Sequence, residues 1–375
     1  MSTPDSGARL LNPESVTILT TSRCTAACRH CCMNSGPERS EQLSAEQMID
    51  ILRQLFEESP GLSLVVFSGG ESMLLGEDLY RAIRFAKDQG RATRLVTNAY
   101  WASTPERATQ VVAELRAAGL EQLNISTDDQ HLPFISLQRV RNAYAASMAT
   151  DFTDVCIAHC HGPESWLTPE AVNQELEGGK MPIRFGGTGN EMPYYPESQD
   201  GRPRILLSNP ALQSLGRGKE QLVSSETVAT TGDLLAHEYY DHGCGSAVRS
   251  LAISPQGHVL SCCGFELEGN PVLDYGPTAE RSVAELLDIA DQDVLTNLIA
   301  WLGPARIKAI LEERWPDEVS FKGAYTGYCD VCQDLVGNEQ NRSALFRHQA
   351  AFVEALLEYR DHLREAIRPD AHTGS

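Results

Sequence analysis

Three cysteines near the start of the chain have a spacing suited to metal binding. Cys24, Cys28 and Cys31 lie on one short segment, Arg-Cys-Thr-Ala-Ala-Cys-Arg-His-Cys, which can wrap its thiols around a compact cluster. A closed structural zinc or iron–sulfur site uses four protein ligands, whereas three thiolates leave one metal open to an outside group. The segment therefore predicts a reactive cluster with chemistry at the open metal.

Two other interpretations of this segment compete with the first. Cys32 could complete a zinc knuckle as the fourth ligand, or the cysteines could be structural and bind no metal. Adjacent cysteines rarely point at one metal without strain, and free thiols crowded into so short a segment would be prone to oxidation. We therefore favour the open cluster.

A second set of cysteines lies in the last third of the chain. Cys244 and Cys262 flank a predicted β-hairpin, and Cys329 and Cys332 form a distant Cys-x2-Cys pair. Four thiols make a closed site, and zinc satisfies this ligand count as well as an iron–sulfur cluster does. Cys263 is the alternative to Cys262 as a ligand.

A glycine-rich turn follows the second predicted strand. Ligands of parallel α/β sheets bind at the carboxyl ends of the strands, which is where Gly69, Gly70 and Glu71 are expected. Glycine lets the backbone approach a ligand closely, and a backbone carbonyl with the Glu71 carboxylate can receive an ammonium group. The turn is thus a candidate binding site for a cationic ligand.

Polar residues also end the third and fourth predicted strands. Asn98 follows the third strand, and Ser126 and Asp128 follow the fourth, so these side chains should meet at the same rim and could hold a ribose or a carboxylate. Asn, Ser and Asp are also common in turns. His131 is close by, and its position alone indicates no role.

Together these motifs resemble the radical S-adenosylmethionine (SAM) superfamily. The cysteine segment is similar to the family's Cys-x3-Cys-x-aromatic-Cys signature, with His30 at the aromatic position. The glycine turn is similar to its Gly-Gly-Glu motif, although Ser72 stands where proline is common. The resemblance implies that the three cysteines hold a [4Fe-4S] cluster whose open iron binds SAM, and that the Gly-Gly-Glu motif receives the amino group of SAM. It also implies cleavage of SAM to a 5′-deoxyadenosyl radical that abstracts a substrate hydrogen.

The second cysteine set resembles the twitch domain, a shortened SPASM domain that follows many radical SAM barrels. The resemblance implies one auxiliary [4Fe-4S] cluster on Cys244, Cys262, Cys329 and Cys332. A complete SPASM domain would need more cysteines than this region holds. The long helical insertion between Cys262 and Cys329 departs from the shortest twitch domains.

The resemblance also implies two main substrate classes, ribosomally made peptides and small sugars or aminocyclitols. An auxiliary cluster suits net oxidation, because it can accept an electron, whereas a thiol of Cys156, Cys160 or Cys263 facing the barrel could donate hydrogen and give epimerisation. Buried structural cysteine is the simpler interpretation of those three. The short segment before the first strand leaves no room for a fused leader-peptide recognition domain, so a separate protein could take that role, or the C-terminal helices could dock a leader. We favour the peptide, with flavodoxin or ferredoxin as the expected electron donor, and keep a non-catalytic metal-binding module as a further alternative.

The elements that must position these residues form a regular pattern. Short β-branched runs alternate with amphipathic helices in the first half of the chain, as in repeated βα units. The predicted strands are 16–20, 62–67, 93–97, 123–126 and 154–158. The predicted helices are 44–57, 77–87 and 137–148, together with one that starts at 104–105. Either 183–185 or 205–207 is the sixth strand. The next elements are a hairpin of 250–254 and 258–261 and helices at 283–300, 307–314 and 342–367, the last with Leu345, Phe352, Leu356, Tyr359 and Leu363 as a core stripe.

The expected fold is α/β: a partial (β/α)6 TIM-like barrel with a smaller C-terminal cysteine-rich domain made of a β-hairpin and helices. The boundaries we predict are 1–15 for an N-terminal extension, 16–225 for the barrel, 226–335 for the auxiliary cluster domain and 336–375 for a C-terminal helix and tail. A chain of 375 residues has room for two such units.

Composition excludes several classes of protein. The formal net charge of −20 opposes binding to a phosphate backbone, so we expect no nucleic-acid partner. No stretch approaches the ~20 apolar residues needed to cross a bilayer, so no membrane partner is expected. The N-terminus lacks the apolar region of a secretory signal, and clustered cysteines in a reducing cytosol more often bind metal than form disulfides. We therefore expect a cytoplasmic protein.

Overall fold

The computed structural model describes residues 9–184, 202–227, 230–231 and 243–366, with side chains described up to residue 357. The largest element of the fold is a sheet of ten strands in the order β11-β10-β9-β1-β2-β3-β4-β5-β7-β6. These strands are β1 Ser15–Leu19, β2 Leu64–Ser68, β3 Ala92–Thr97, β4 Gln122–Ser126, β5 Asp154–Ala158, β6 Ile183–Arg184, β7 Arg204–Ser208, β9 Ser250–Ile253, β10 His258–Leu260 and β11 Asp274–Pro277. A separate two-stranded sheet pairs β8 Thr230–Thr231 with β12 Ala324–Tyr325.

Helices cover one face of the large sheet and build the C-terminal region. They are α1 Ala45–Glu58, α2 Glu77–Asp88, α3 Pro105–Ala117, α4 Leu137–Met148, α5 Pro169–Glu177, α6 Gly218–Gln221, α7 Val283–Gln292, α8 Val294–Trp301, α9 Pro304–Arg314, α10 Tyr328–Gly337 and α11 Glu339–Ala366. Helix α1 begins at a capping box, in which Ser44 Oγ accepts from the Gln47 amide and Gln47 Oε1 accepts from the Ser44 amide.

Strands of the large sheet have two different faces because side chains alternate along a strand. In β4, Leu123 and Ile125 are fully buried in the main hydrophobic core with the helices, whereas Asn124 points to the opposite face. In β5, Ile157 packs in the same core, and Cys156 points to the opposite face beside Asn124. The face turned away from the helices, called the inner face here, is therefore partly polar.

The α/β class and the order of the first five strands agree with the prediction. These strands all pair in parallel, and each begins and ends within two residues of its predicted bounds. The sixth strand of the barrel is β7, which pairs in parallel with β5 along the full range Asp154–Ala158. The two-residue β6 pairs with the other side of β7 and forms the edge of the sheet. Of the two predicted ranges, 205–207 is thus the sixth strand, and Phe185 of the other lies outside the described residues.

The C-terminal hairpin is part of the large sheet. Strands β9 and β10 lie where the hairpin was predicted, and β9 pairs in parallel with β1 while β10 and β11 continue the sheet antiparallel. The sheet therefore crosses the predicted boundary between barrel and cluster domain.

One predicted helix is wrong. The range 283–300 is two helices, α7 and α8, because the Asp293 carboxylate accepts a 2.6 Å hydrogen bond from the Thr296 amide and caps a new helix. The predicted stripe on α11 holds as far as side chains are described: Leu345 and Phe352 are fully buried, and Tyr359 and Leu363 lie beyond.

No single helix within the described residues is long and apolar enough to cross a membrane. Helices α8 and α9 pass that test only as a pair, and they are bent by 106° to each other.

Candidate metal and cofactor site

The three N-terminal cysteines lie on the loop that follows β1. The Cys24 amide donates to Gly36 O at 3.1 Å, which closes the loop at its base. Arg217, from the segment after β7, donates from Nη1 to Cys28 O at 2.9 Å and from its amide to Cys31 O at 3.1 Å. The cysteine loop is thus held from both sides, and the sequence alone carries no signal for Arg217.

The three thiols are close enough to influence one another. Burial raises the pKa of the Cys24 thiol to about 11, with smaller contributions from Glu71 and Cys31. Burial also raises the pKa of the Cys28 thiol, and Cys31 and Cys24 add to that effect. Metal binding must therefore displace protons from this loop, since thiolates are the form that ligates a metal and the metal cations stabilise them.

The Gly-Gly-Glu turn contacts the cysteine loop directly through its backbone. The Gly70 amide donates to Thr21 O at 2.6 Å, and the Glu71 amide donates to Arg23 O at 2.9 Å. A Cβ on Gly70 would lie 2.1 Å from Arg23 O, and one on Gly69, whose φ is +128°, would lie 2.7 Å from Thr21 O. Only glycine therefore permits this approach.

The Glu71 carboxylate is fully buried and receives three hydrogen bonds. Oε1 accepts from Thr97 Oγ1 at 2.9 Å and from the Met73 amide at 3.2 Å, and Oε2 accepts from the Asn98 amide at 2.8 Å. Burial raises the pKa of Glu71 to about 7, although these three donors favour the charged form. The turn is thereby joined to the end of β3.

The side chain of Asn98 reaches the cysteine loop. Its Nδ2 donates to Thr25 Oγ1 at 3.0 Å and lies 3.7 Å from Cys24 Sγ. Ser126, the last residue of β4, lies at the same rim opposite Ala158 of β5. The structure thus brings the predicted residues of three strand ends to the edge that carries the cysteines.

Asp128 lies between two histidines. Its Oδ1 is 2.8 Å from His131 Nδ1, and its Oδ2 is 3.3 Å from His30 Nε2. Burial opposes ionisation of this carboxyl, but His131 and His30 outweigh it and hold the pKa of Asp128 well below its usual range. Within the described residues no donor makes a well-formed hydrogen bond to the buried Oδ2, so this oxygen can accept from a ligand. The pairing of Asp128 with His30 links the cysteine loop to the end of β4. From the sequence, His30 is known only as the residue at the aromatic position of the signature.

Comparison with known proteins identifies this arrangement. Residues 18–130, which contain the cysteine loop, the Gly-Gly-Glu turn and Asp128, match the model of the Radical SAM superfamily. This part of the chain is similar to proteins of the radical SAM superfamily. The cofactors of that family are SAM and a [4Fe-4S] cluster, and three thiols beside the Gly-Gly-Glu turn fit them.

Individual proteins are also similar to this chain. A putative peptide biosynthesis protein, YydG of Bacillus subtilis (strain 168), is 25% identical over 129 residues, which is 34% of this chain and 40% of that relative. The match therefore spans less than half of the relative's length. The solved structure of native anSMEcpe with bound AdoMet superposes with a TM-score of 0.51 and 13% identity, covering 90% of this chain and 99% of that one. This second likeness concerns the fold.

The second cysteine set of the chain also comes together. A Cβ on Gly264 would lie 3.3 Å from Cys329 Sγ and 3.6 Å from Cys262 Sγ, so glycine leaves space between these thiols. Burial and the neighbouring thiol of Cys244 raise the pKa of both Cys262 and Cys332. The Cys-x2-Cys pair lies in the first two turns of α10. The donor set and the open space between the thiols fit a cluster with four thiolate ligands.

Cys262 and Cys263 turn in different directions. Cys262 interacts with Cys244 and Cys329. Cys263 also interacts with Cys329, but its Sγ accepts a 3.7 Å hydrogen bond from Thr17 Oγ1, on the inner face of β1. This geometry favours Cys262 as the ligand and leaves Cys263 facing the barrel strands.

Cys32 and Cys160 lie between the two cysteine sets. Cys32 packs with the C-terminal hydrophobic cluster and interacts electrostatically with Cys263 and Cys329 as well as with Cys31. Cys160, just after β5, interacts with Asp128 and Cys32. The sequence presents Cys32 only as a possible ligand of the first site, because nothing in a Cys-Cys pair shows that the second thiol faces another part of the fold.

Proposed function

We propose that this chain cleaves SAM reductively and uses the resulting radical to modify a ribosomally made peptide. The observation that carries the first half is the backbone contact between the Gly-Gly-Glu turn and the cysteine loop. It holds a carbonyl and a carboxylate beside three thiols, which is the arrangement that a SAM amino group bound at an open iron requires. A cluster with bound SAM supplies the 5′-deoxyadenosyl radical that removes a substrate hydrogen.

Three groups of residues would bind the cluster and the two ends of SAM. Cys24, Cys28 and Cys31 hold the cluster, Gly69, Gly70 and Glu71 receive the SAM ammonium group, and Asn98, Ser126 and Asp128 face the nucleoside. The Asp128 Oδ2, which lacks a well-formed hydrogen bond within the described residues, supports this last role, because a buried carboxylate oxygen gains free energy from a hydroxyl or amine donor.

A first experiment tests SAM cleavage. The protein is reconstituted anaerobically with iron and sulfide, reduced with dithionite and assayed for 5′-deoxyadenosine. Alanine at Cys24, Cys28 or Cys31 should abolish the product, while Cys156→Ser, on β5 and outside both sets, should retain it. A Cys28→Ala protein that still cleaves SAM would disprove the proposal.

The similarity to YydG supports a peptide rather than a small molecule as the substrate. The alternative is dehydrogenation or epimerisation of a sugar or aminocyclitol. A short open reading frame beside the gene would supply a candidate peptide, and its coexpression product is analysed by mass spectrometry. A modified peptide supports the proposal, whereas turnover of aminocyclitols with an unchanged peptide would favour the alternative. A non-catalytic metal-binding module would cleave no SAM.

The type of modification depends on the fate of the substrate radical. An auxiliary cluster held by Cys244, Cys262, Cys329 and Cys332 would supply an acceptor for the electron that oxidation removes from the substrate radical, and the proton would go to solvent. In epimerisation a thiol donates a hydrogen atom, and an electron from the reductant, expected to be flavodoxin or ferredoxin, with a proton from solvent then restores the thiol.

Isotope incorporation separates the two routes. In D2O, epimerisation places a deuterium on the modified carbon, whereas dehydrogenation removes a pair of hydrogens. Cys160 and Cys263 are the candidate donors, since one lies near Asp128 and the other near Thr17. If epimerisation occurs, Cys160→Ala or Cys263→Ala should stop deuterium incorporation while SAM cleavage continues. Incorporation that persists in both variants would rule out both thiols.

A further inference from the structure

Three large apolar side chains are exposed on neighbouring loops at the carboxyl edge of the sheet. Phe134 follows β4 and is 45% exposed, Trp166 follows β5 and is 70% exposed, and Val223 follows β7 and is 57% exposed. Strands β4, β5 and β7 are adjacent in the sheet, so their loops lie side by side. We call these three side chains the rim patch.

The loop that carries Trp166 is fixed to the loop of β4. The Asp129 carboxylate accepts from the Trp166 amide at 2.9 Å and from the Leu167 amide at 2.8 Å. His159 Nε2 is 3.0 Å from Leu167 O and ties the same loop to the end of β5. Because Asp129 follows Asp128 in sequence, Trp166 is anchored next to the candidate cofactor site.

The segment that carries Val223 is fixed to its neighbours in the same way. A Cβ on Gly162 would lie 1.8 Å from Glu226 O, so the loops of β5 and β7 pack against each other without space for a side chain. Glu226 accepts from the Val223 amide at 3.0 Å and pairs with Arg29 of the cysteine loop at 2.7 Å. The Val223 end of the rim patch is therefore held by contacts that run back to the cysteine loop.

We infer that the rim patch is the docking surface for apolar side chains of the peptide substrate, an inference that rests on the proposed function. Exposed apolar groups on rigid loops cost little conformational entropy on binding, and tryptophan is a frequent anchor of interfaces. The βα loops at this edge are where substrates of such barrels bind. Neighbouring strands are about 4.8 Å apart, so three loops span roughly 10 Å, the length of about three residues of an extended peptide. The continuity of the patch with the cofactor site indicates that the bound peptide leads into it.

A binding selection tests this surface with random peptides in place of the natural substrate. A twelve-residue peptide library in mRNA display is selected on the reconstituted holoprotein with SAM, and the affinities of enriched peptides are then measured. We expect enrichment of peptides with aromatic or branched apolar residues. Trp166→Ala should weaken their binding at least tenfold, and Trp166→Phe should restore most of it.

The matched control is Leu10→Ala. Leu10 is 72% exposed, as Trp166 is, but it precedes β1 and lies at the opposite edge of the sheet, so its removal should leave peptide affinity unchanged. Asp129→Asn, which weakens the hold on the Trp166 loop, should reduce affinity less than Trp166→Ala and make Trp166→Ala less harmful in the double variant.

The outcomes separate this inference from the proposed function. If the wild-type protein enriches no peptide, the peptide hypothesis fails and the docking surface fails with it. If it enriches peptides that bind Trp166→Ala and Leu10→Ala equally well, the peptide hypothesis stands and the rim patch is not the docking surface.

Discussion

At the scale of single residues, glycine has a more specific role than the motif alone indicates. The sequence predicts that Gly69 and Gly70 allow close approach to a ligand. The structure shows that they first approach the backbone of the cysteine loop, at Thr21 and Arg23. The turn and the loop are therefore one rigid unit, and a side chain on Gly70 would displace the cysteines as well as the proposed SAM site.

Gly70→Ala tests this unit. Because the new methyl group would lie 2.1 Å from Arg23 O, the turn must move away from the loop. A shift of about 1 Å near reacting groups lowers rates by roughly a hundredfold, and we expect a loss of that size in 5′-deoxyadenosine formation. Gly61→Ala is the control, since nothing lies within 4 Å of its Cβ position. Equal activity of the two variants would contradict this account.

Glu71 makes stability depend on pH. Burial raises its pKa to about 7 in the folded chain, against about 4.3 when unfolded, so the folded state binds more protons between these values. Stability therefore falls as pH rises from about 4 to 7 and levels off above, by on the order of 3 kcal/mol.

Urea unfolding of the reconstituted protein without SAM at pH 5 and pH 8 measures this dependence. Glu71→Gln should have a smaller difference between the two pH values than the wild type. Glu57→Gln, at an exposed position on α1, should behave like the wild type. A wild-type slope in the Glu71→Gln protein would mean that another group titrates.

At the scale of elements, local signals were sufficient for most of the barrel. The predicted bounds of the first five strands depend only on neighbours in sequence, and each strand is found within two residues of them. The features that could not be predicted depend on distant partners. Nothing in 250–253 indicates that β9 pairs with β1, and the pairing of His30 with its distant partner Asp128 exists only in the folded chain.

The break between α7 and α8 is the instructive failure. The apolar pattern continues through 283–300, and Asp293 inside it fits the solvent-facing side of a single helix. In the structure the same residue caps α8, because its side chain satisfies the free amide of Thr296. A periodic pattern cannot distinguish one long helix from two capped helices in succession.

Asp293→Ala measures the value of that cap. Loss of an N-cap usually lowers the free energy of unfolding by about 1 kcal/mol, and α8 carries core residues such as Leu298, so the effect should be seen in global unfolding. Asp88→Ala, at the exposed end of α2, removes no cap and should not destabilise the protein. A neutral Asp293→Ala would show that the two helices do not need the cap.

At the scale of the whole molecule, two thiol sets share one framework. The Cys32 side chain extends from the cysteine loop into the hydrophobic cluster of the C-terminal region. The Cys32 carbonyl accepts a hydrogen bond from the Glu266 amide at 3.0 Å. The segment after β7 packs on the same loop, since a Cβ on Gly216 would lie 2.3 Å from Cys32 O. The two proposed clusters are thus held in a fixed relation to each other.

Metal content tests the proposal of two clusters. Reconstituted protein should contain about eight irons per chain, four in each cubane cluster. Cys329→Ala with Cys332→Ala should reduce the count to about four, while Cys156→Ser keeps about eight. About four irons together with zinc in the wild type would show that the second set is a zinc site.

The place of β1 in the sheet has a consequence for biosynthesis. The strand that carries the cysteine loop lies between β2, which comes soon after it in sequence, and β9, which is made much later. During translation this strand has one unpaired side until Ser250–Ile253 emerges, and an unpaired strand side is a template for aggregation. Iron and sulfide are therefore best delivered to the first three thiols after the chain is complete. If metal is loaded earlier, β1 still lacks its partner strand β9.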